Sequence, residues 1–349
     1  MSIWGETSAD FPVRGTPREK LAFAVTRAAY ALPEHWRQPW EIRLDDRFAE
    51  LRASVGRASD AVDPDGRETL MSCGAALEFL ELILKHHGCM GRIEPFPDLN
   101  QPALVARVHA GRGIEREASE SRLFVAMSAS SGRSFWTHGE MLPEAAMGLL
   151  QKVASRARTL LEFARCEASR ERLRQLFTPQ AALQIEALQM HSPLQERRMN
   201  GGLTVCTRTR WLLDRIARWS RPRLAVRVVA APSAQSESRH PRREPEPASA
   251  MYAVVKTKTD DKHGWIAAGR TVGRLRLQAF AMDMDCAVRN ETLRSSRLRS
   301  ELRPEFGRKG FVQAILRFAY RRESGVAHKT SRPLSQPHST AAAAGQLVA

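Results

Sequence analysis

The stretch Asp63–Gly88, DPDGRETLMSCGAALEFLELILKHHG, decides the fold. Its opening turn, Asp63-Pro64-Asp65-Gly66, supplies a capping carboxylate and a proline near the first helical turn. Glu68 sits where the helix dipole favours an anion, and Lys85, His86 and His87 load the last turn with potential cations. Gly88 suits the left-handed position that ends a helix. Between these signals nearly every residue is apolar, so the spacing predicts a buried central helix. Roughly 20 residues at about 1.5 Å each give a rod of about 30 Å, long enough to cross a domain. Ser72, Cys73, Gly74, Ala75 and Ala76 place small residues together, which lets another backbone approach closely.

A chain of 349 residues can build one large or two smaller cores. Its composition, 43% hydrophobic and 26% charged, is that of a globular protein. The net charge of +16 is uneven: residues Gln195–Glu244 hold 12 arginines, no lysine and 4 acidic residues. That stretch lies in a Pro-, Ser- and Ala-rich segment, 191–250, which reads as disordered. It could be a basic arm for nucleic acid or an acidic membrane surface, or else a poorly ordered insertion or a stretch whose reading frame has drifted in a GC-rich gene. With only Trp211 and Trp219 to stack on bases and no nucleic-acid motif, the insertion is the reading adopted. Five cysteines without a CxxC pair point away from structural zinc and a disulfide framework. The start of the chain has no secretory signature, and Glu78 and Glu81 interrupt the best apolar run, so a cytoplasmic protein without a membrane span is expected.

Upstream, Thr16–Ala31 has helical spacing, with Leu21, Val25, Ala28 and Ala29 on one face and a Thr16/Glu19 capping box. Gln38-Pro39-Trp40 ends a loop, and Trp40, Ile42 and Leu44 alternate with polar residues as in a half-buried strand. Downstream, Ala103–His109 reads as a strand, Glu117–Phe135 begins as a helix, and Leu142–Cys166 and Ala168–Met190 both read as helical. Order returns with the strand MYAVVKTKTDD, a helix beginning at HGWIAAGRTVGRL, and the buried strand FVQAILRFAY. The helix again carries small residues, Ala267, Ala268, Gly269 and Gly273, that permit close approach.

These motifs resemble the nitroreductase-like flavoproteins, in particular the internally doubled Acg-type branch. Asp63–Gly88 is similar to the DP-x-GRE and SCGAAL signature, and the His35…Gln38-Pro39-Trp40 loop to A-P-S-x-H-N-x-Q-P-W, with Leu32, Pro33 and Trp36 replacing the family's Pro, Ser and Asn. Leu123, Phe124, Ala126, Met127, Ser131, Arg133 and Phe135 follow a family helix-and-loop pattern, with Ala129 and Gly132 where the family carries Arg and Asn. Thr259-Asp260-Asp261, Trp265, Gln313, Arg317 and Ser331-Arg332-Pro333 match further positions, the first Arg of the family's R-R-P being Ser331.

The resemblance implies an α+β fold, a central, mainly antiparallel sheet flanked by helices, with two pseudo-repeated halves. The first half covers 1–115; the second covers 116–334 and carries the insertion at 191–250; 335–349 is a disordered tail. It implies FMN as cofactor, with His35, Gln38 and Pro39 against the ring. Ser131, Gly132, Arg133 and Arg332 would lie at the phosphate, a dianion that needs forked Arg donors and hydroxyl or backbone N–H groups. No acid–base residue is required, because the flavin carries the chemistry; His86 and His87 are adjacent on a helix and make a poor metal pair. The implied activity is NAD(P)H-dependent reduction of nitro or quinone compounds. The alternatives are a catalytically silent flavin-sequestering protein and a degenerate, stress-linked protein that has lost FMN. The expected partners are flavin and NAD(P)H, without membrane or nucleic acid, in a monomer that mimics a dimer or in a homodimer.

Overall fold

A computed structural model of the chain describes residues 11–31, 40–53, 63, 65–111, 118–129, 142–175, 203–206, 225–229, 250–290, 293, 296–302, 304, 306 and 309–320. Among these, α1 (Pro17–Ala31) opens with the expected capping box: Thr16 N donates to Glu19 Oε2 at 2.7 Å and Glu19 N to Thr16 Oγ1 at 3.3 Å. Strands β1 (Trp40–Leu44) and β2 (Phe48–Ala53) form a hairpin whose register sets Trp40 opposite Ala53. Helix α2 (Arg67–His86) follows. Asp63 caps it from upstream, its carboxylate accepting from Glu68 N at 3.0 Å and Thr69 N at 2.8 Å. It ends as the sequence requires, with Gly88 at φ 62. Strands β3 (Met90–Pro95) and β4 (Leu104–Ala110) come next.

Helices α3 (Ala118–Ala129), α4 (Glu144–Arg156) and α5 (Glu167–Gln175) come next, with β5 (Leu160–Phe163) between the last two. The single helix expected over 142–166 is therefore corrected: it stops at Arg156. Arg158 turns into the left-handed region at φ 58, and Thr159 bonds the Ala154 carbonyl through both its backbone N–H and its hydroxyl. The remainder pairs as an edge strand on β8 (Met251–Thr257). No Gly or Pro marks this break in the sequence; side-chain capping makes it.

Two short strands, β6 (Leu203–Cys206) and β7 (Ala225–Val229), fall inside the stretch 191–250; the rest of that stretch up to residue 249 lies outside the described residues. The chain continues as β8, α6 (Lys262–Phe280), β9 (Met284–Val288), α7 (Ser296–Leu302) and β10 (Phe311–Tyr320).

The architecture is α+β, but the single central sheet is corrected to two. A six-stranded sheet runs β3-β4-β2-β1-β7-β6 and a four-stranded sheet runs β5-β8-β10-β9. Both are antiparallel except where β6 lies parallel to β7. Strands β8 and β10 are buried along almost their whole length because both faces are covered. Met251, Ala253 and Val255 join one core with α4 and α6, while Tyr252 and Val254 join another with Leu173 of α5 and Leu302 of α7. A separate core gathers α1, α2, β1, β2, β4 and, from further along the chain, Leu123, Phe124 and Met127 of α3.

Helices α2 and α6 lie between these cores and touch backbone to backbone. A methyl group built on Gly269 would overlap the Met71 carbonyl oxygen, and one built on Gly74 would overlap the carbonyl oxygen of Ile266. Both small-residue runs therefore do what their composition predicts.

Candidate functional site

The side chains that carry chemistry gather at the two ends of the α2–α6 seam. At the N-terminal end lies Arg67, only 1% exposed. Its Nη1 donates to the Gln313 carbonyl oxygen on β10 and its Nη2 to the Leu293 carbonyl oxygen at 3.3 Å. Gln313, fully buried, donates through Nε2 to Thr257 Oγ1 at 3.0 Å and to Asp260 Oδ1 at 2.9 Å. Asp260 also accepts from Trp265 Nε1 at 2.6 Å, and Asp261 caps α6 by accepting from Gly264 N at 2.8 Å. A positive charge so deeply placed is costly. Burial pushes the Arg67 guanidinium below its ordinary range, and the carboxylates of Glu68, Asp63 and Asp260 offset this only in part, with Arg299 adding to the fall. Neutral carbonyls rather than a buried carboxylate supply its hydrogen bonds to distant chain segments.

This cluster unites motif residues far apart in sequence: Asp63 and Arg67, Thr257 and Asp260, Trp265, and Gln313. The sequence placed a capping carboxylate in the Asp63–Gly66 turn without choosing between Asp63 and Asp65, and assigned nothing to Arg67. The available signal was a basic residue in the first turn of an otherwise buried helix, together with a glutamine in the middle of the apolar run FVQAILRFAY.

At the other end, six charges alternate in sign. Glu78 accepts from Arg274 at 2.8 Å and from Arg270 at 3.1 Å. Glu81 pairs with Lys85 at 2.8 Å and with Arg270. Glu120 of α3 meets Lys85 at 3.3 Å and Arg274 at 3.4 Å. Burial alone would raise the Glu81 pKa, but Arg270 and Lys85 outweigh it and hold the carboxyl below its ordinary range. The same pairings raise Lys85 and Arg270 against the opposing effect of burial. His86 and His87 spend their rings on packing: His86 stacks on Phe124 with centroids 3.7 Å apart, and His87 on Phe11 at 3.9 Å. Among the described residues, no group of three or more His, Cys, Asp or Glu is arranged to hold a metal ion.

Burial pushes the thiols of Cys73 and Cys286 far up. Exposed Cys166 is lowered instead by hydrogen bonds from the Ser169 hydroxyl and backbone N–H. It lies at the start of α5.

The residues assigned to cofactor binding, His35, Gln38, Pro39, Ser131, Gly132, Arg133 and Arg332, lie outside the described residues. Their neighbours are described. Trp40, directly after Pro39 in sequence, heads β1 and is 1% exposed in the same core as Leu123, Phe124 and Met127 of α3. Among the described residues, buried Trp40 Nε1 meets no acceptor and buried Gln313 Oε1 no donor. Each leaves one polar atom unsatisfied, at a cost of about 1–3 kcal/mol unless a ligand or water meets it.

No family model matches the chain. It is 25% identical over 325 residues to the protein named putative NAD(P)H nitroreductase Rv3131 of Mycobacterium tuberculosis strain H37Rv, covering 89% of this chain and 86% of the relative. It is 33% identical over 85 residues to the protein named putative NAD(P)H nitroreductase acg of the same strain, 24% of this chain and 26% of the relative. Over 78 residues it is 36% identical to the probable NAD(P)H nitroreductase PigM of a Serratia strain, 22% of each. The chain is thus related to the proteins named NAD(P)H nitroreductases, and the Acg-type resemblance drawn from its motifs fits that relationship. No helix among the described residues is long and apolar enough to cross a membrane.

Proposed function

We propose that this chain is an FMN-binding, NAD(P)H-dependent oxidoreductase of nitro or quinone compounds, acting in the cytoplasm. The observation that carries the reading is the pairing of a relationship to nitroreductase-named proteins that spans 89% of the chain with a buried indole N–H at Trp40, next to Pro39 in sequence, that meets no acceptor among the described residues. The residues fit the group: a ring system rich in acceptor atoms suits an orphan donor, and its phosphate suits the Ser131-Gly132-Arg133 stretch and Arg332. In this reading the two parts of the chain form a doubled unit, with the ring against His35, Gln38 and Pro39 and the anion held by the later residues. When bound, the flavin supplies the electron transfer from nicotinamide to acceptor; the protein binds, orients and shields it.

The visible spectrum of freshly purified protein tests this. Absorbance near about 450 nm that bleaches with NADPH or NADH and returns on addition of a nitroaromatic or quinone is the expected result. A colourless protein that takes up no added FMN would overturn the reading. Colour that resists both nicotinamides would leave binding and remove the reductase activity.

A further inference from the structure

Helix α3 follows the first half in sequence and leads into the second, yet it packs backwards. Leu123, Phe124 and Met127 join the core built by α1, α2 and the hairpin β1–β2, and none of them joins the core of the four-stranded sheet. Two contacts secure it. Phe124 lies flat on His86 and edge-on to His87, with ring planes 7° and 87° apart, which fixes α3 to the end of α2. One turn earlier Glu120, 6% exposed, reaches both Lys85 on α2 and Arg274 on α6.

We infer that Glu120 is a positioning residue: its carboxylate ties α3 to both seam helices at once and so fixes the end of α3 at Ala129, two residues before Ser131 in sequence. The consequence for cofactor binding rests on the proposed flavin reading; the tie itself does not. The wiring of the network makes the role specific. Without Glu120, Lys85 would keep Glu81 at 2.8 Å and Arg274 would keep Glu78 at 2.8 Å. Its loss therefore strands no cation, and what disappears is the charged link to α3, with the Phe124 ring contacts remaining. Replacing one partner of a buried ion pair is severe chiefly when the other charge is left alone, which is not the case here. A glutamine at 120 could still accept one hydrogen bond, but it could not attract two cations from opposite helices.

The test is amide hydrogen exchange on the full chain, read by element, beside FMN titration followed by flavin fluorescence. In Glu120→Gln, exchange across Ala118–Ala129 is expected to quicken about tenfold while that of α6 stays unchanged, because only a local opening becomes easier. The FMN Kd is expected to rise by a similar factor, and Glu120→Asp to recover part of both. Unchanged α3 exchange, or α3 and α6 quickening together, overturns the proposal. So does a loosened α3 with an unaltered FMN Kd. If the wild-type chain binds no FMN, the flavin reading fails while the exchange result still decides the tie. Should Glu120→Gln not fold, raising the wild-type protein from low salt to about 0.5 M serves instead, since Lys85 and Arg274 are partly open to solvent. There, selective quickening of α3 supports the tie and its absence rules it out.

Discussion

The two ends of α2 solve the same problem in opposite ways. Each must join the first part of the chain to the second across a nearly dry interface. At Arg67 the join is one cation held by backbone carbonyls from β10 and the Leu293 turn, with little access to water. At Glu78–Lys85 it is six charges of alternating sign, several with an edge in solvent. Between them, the crossing at Gly74 and Gly269 sets backbone against backbone, with no side chain at either glycine. Carbonyl–guanidinium bonds depend on geometry and are barely screened, whereas a half-wet ion network depends on pH and salt. The difference predicts which perturbation each end feels.

The largest effect belongs to the crossing. Gly269→Val would drive a branched side chain into the Met71 carbonyl, and two packed backbones cannot part without opening both cores. We expect a loss of about 4 kcal/mol or more in urea unfolding, or no folded protein. A loss under about 1 kcal/mol would mean that the helices are not in backbone contact.

This is also where the sequence was most legible. The small-residue runs at Ser72–Ala76 and Ala267–Gly273, the Asp63 cap and Gly88 all act as their chemistry predicts. Legibility fell where a long-range partner decides the structure. Leu160–Phe163 has good helical company in sequence but is drawn into a strand by pairing with β8. Likewise Val226 and its neighbours, in an arginine-rich setting, pair with β1. Composition counts what a segment could bury alone and misses a ready-made edge beside it. The candidate site was legible as motifs alone; the hydrogen-bonded role of Arg67 and Gln313 needed three dimensions, because their partners lie far away in sequence.

Next in size is Arg67→Met, which removes the cation but keeps most of its volume. It leaves the Gln313 carbonyl without its buried donor, while the Leu293 carbonyl keeps only the bond from Arg299. The expected cost is about 2–3 kcal/mol. If the contrast between the two ends is right, this cost stays constant as salt rises, because the guanidinium is shielded from ions. A cost that shrinks with salt would assign Arg67 to the same type of join as Glu78.

The charged end should answer to pH. The Glu81 carboxyl is held below its ordinary range in the fold, so its contribution is present above the unfolded-state pKa of about 4.3 and lost as pH falls through the lower folded value. Lys85 runs the other way: raised in the fold, its contribution is complete below about 10.4 and disappears as pH climbs through the higher folded value. Melting temperature should therefore fall at both extremes, and Glu81→Gln should flatten the acid limb. An acid limb unchanged in that variant would show that other carboxylates carry it.

The smallest expected effect sharpens the comparison most. Asp65 lies beside the Arg67 cluster and approaches Arg299 at 3.8 Å, but it is 57% exposed. A solvated pair at that distance gains little Coulomb energy and loses side-chain freedom, so Asp65→Asn should cost about 0–0.5 kcal/mol by urea unfolding at any salt. Arg299 keeps its 2.9 Å bond to the Leu293 carbonyl, the same oxygen that receives Arg67, so the turn remains anchored without the carboxylate. A cost above about 1 kcal/mol that falls with salt would show that this end too is held by charge pairing, and the distinction between the two ends of α2 would collapse.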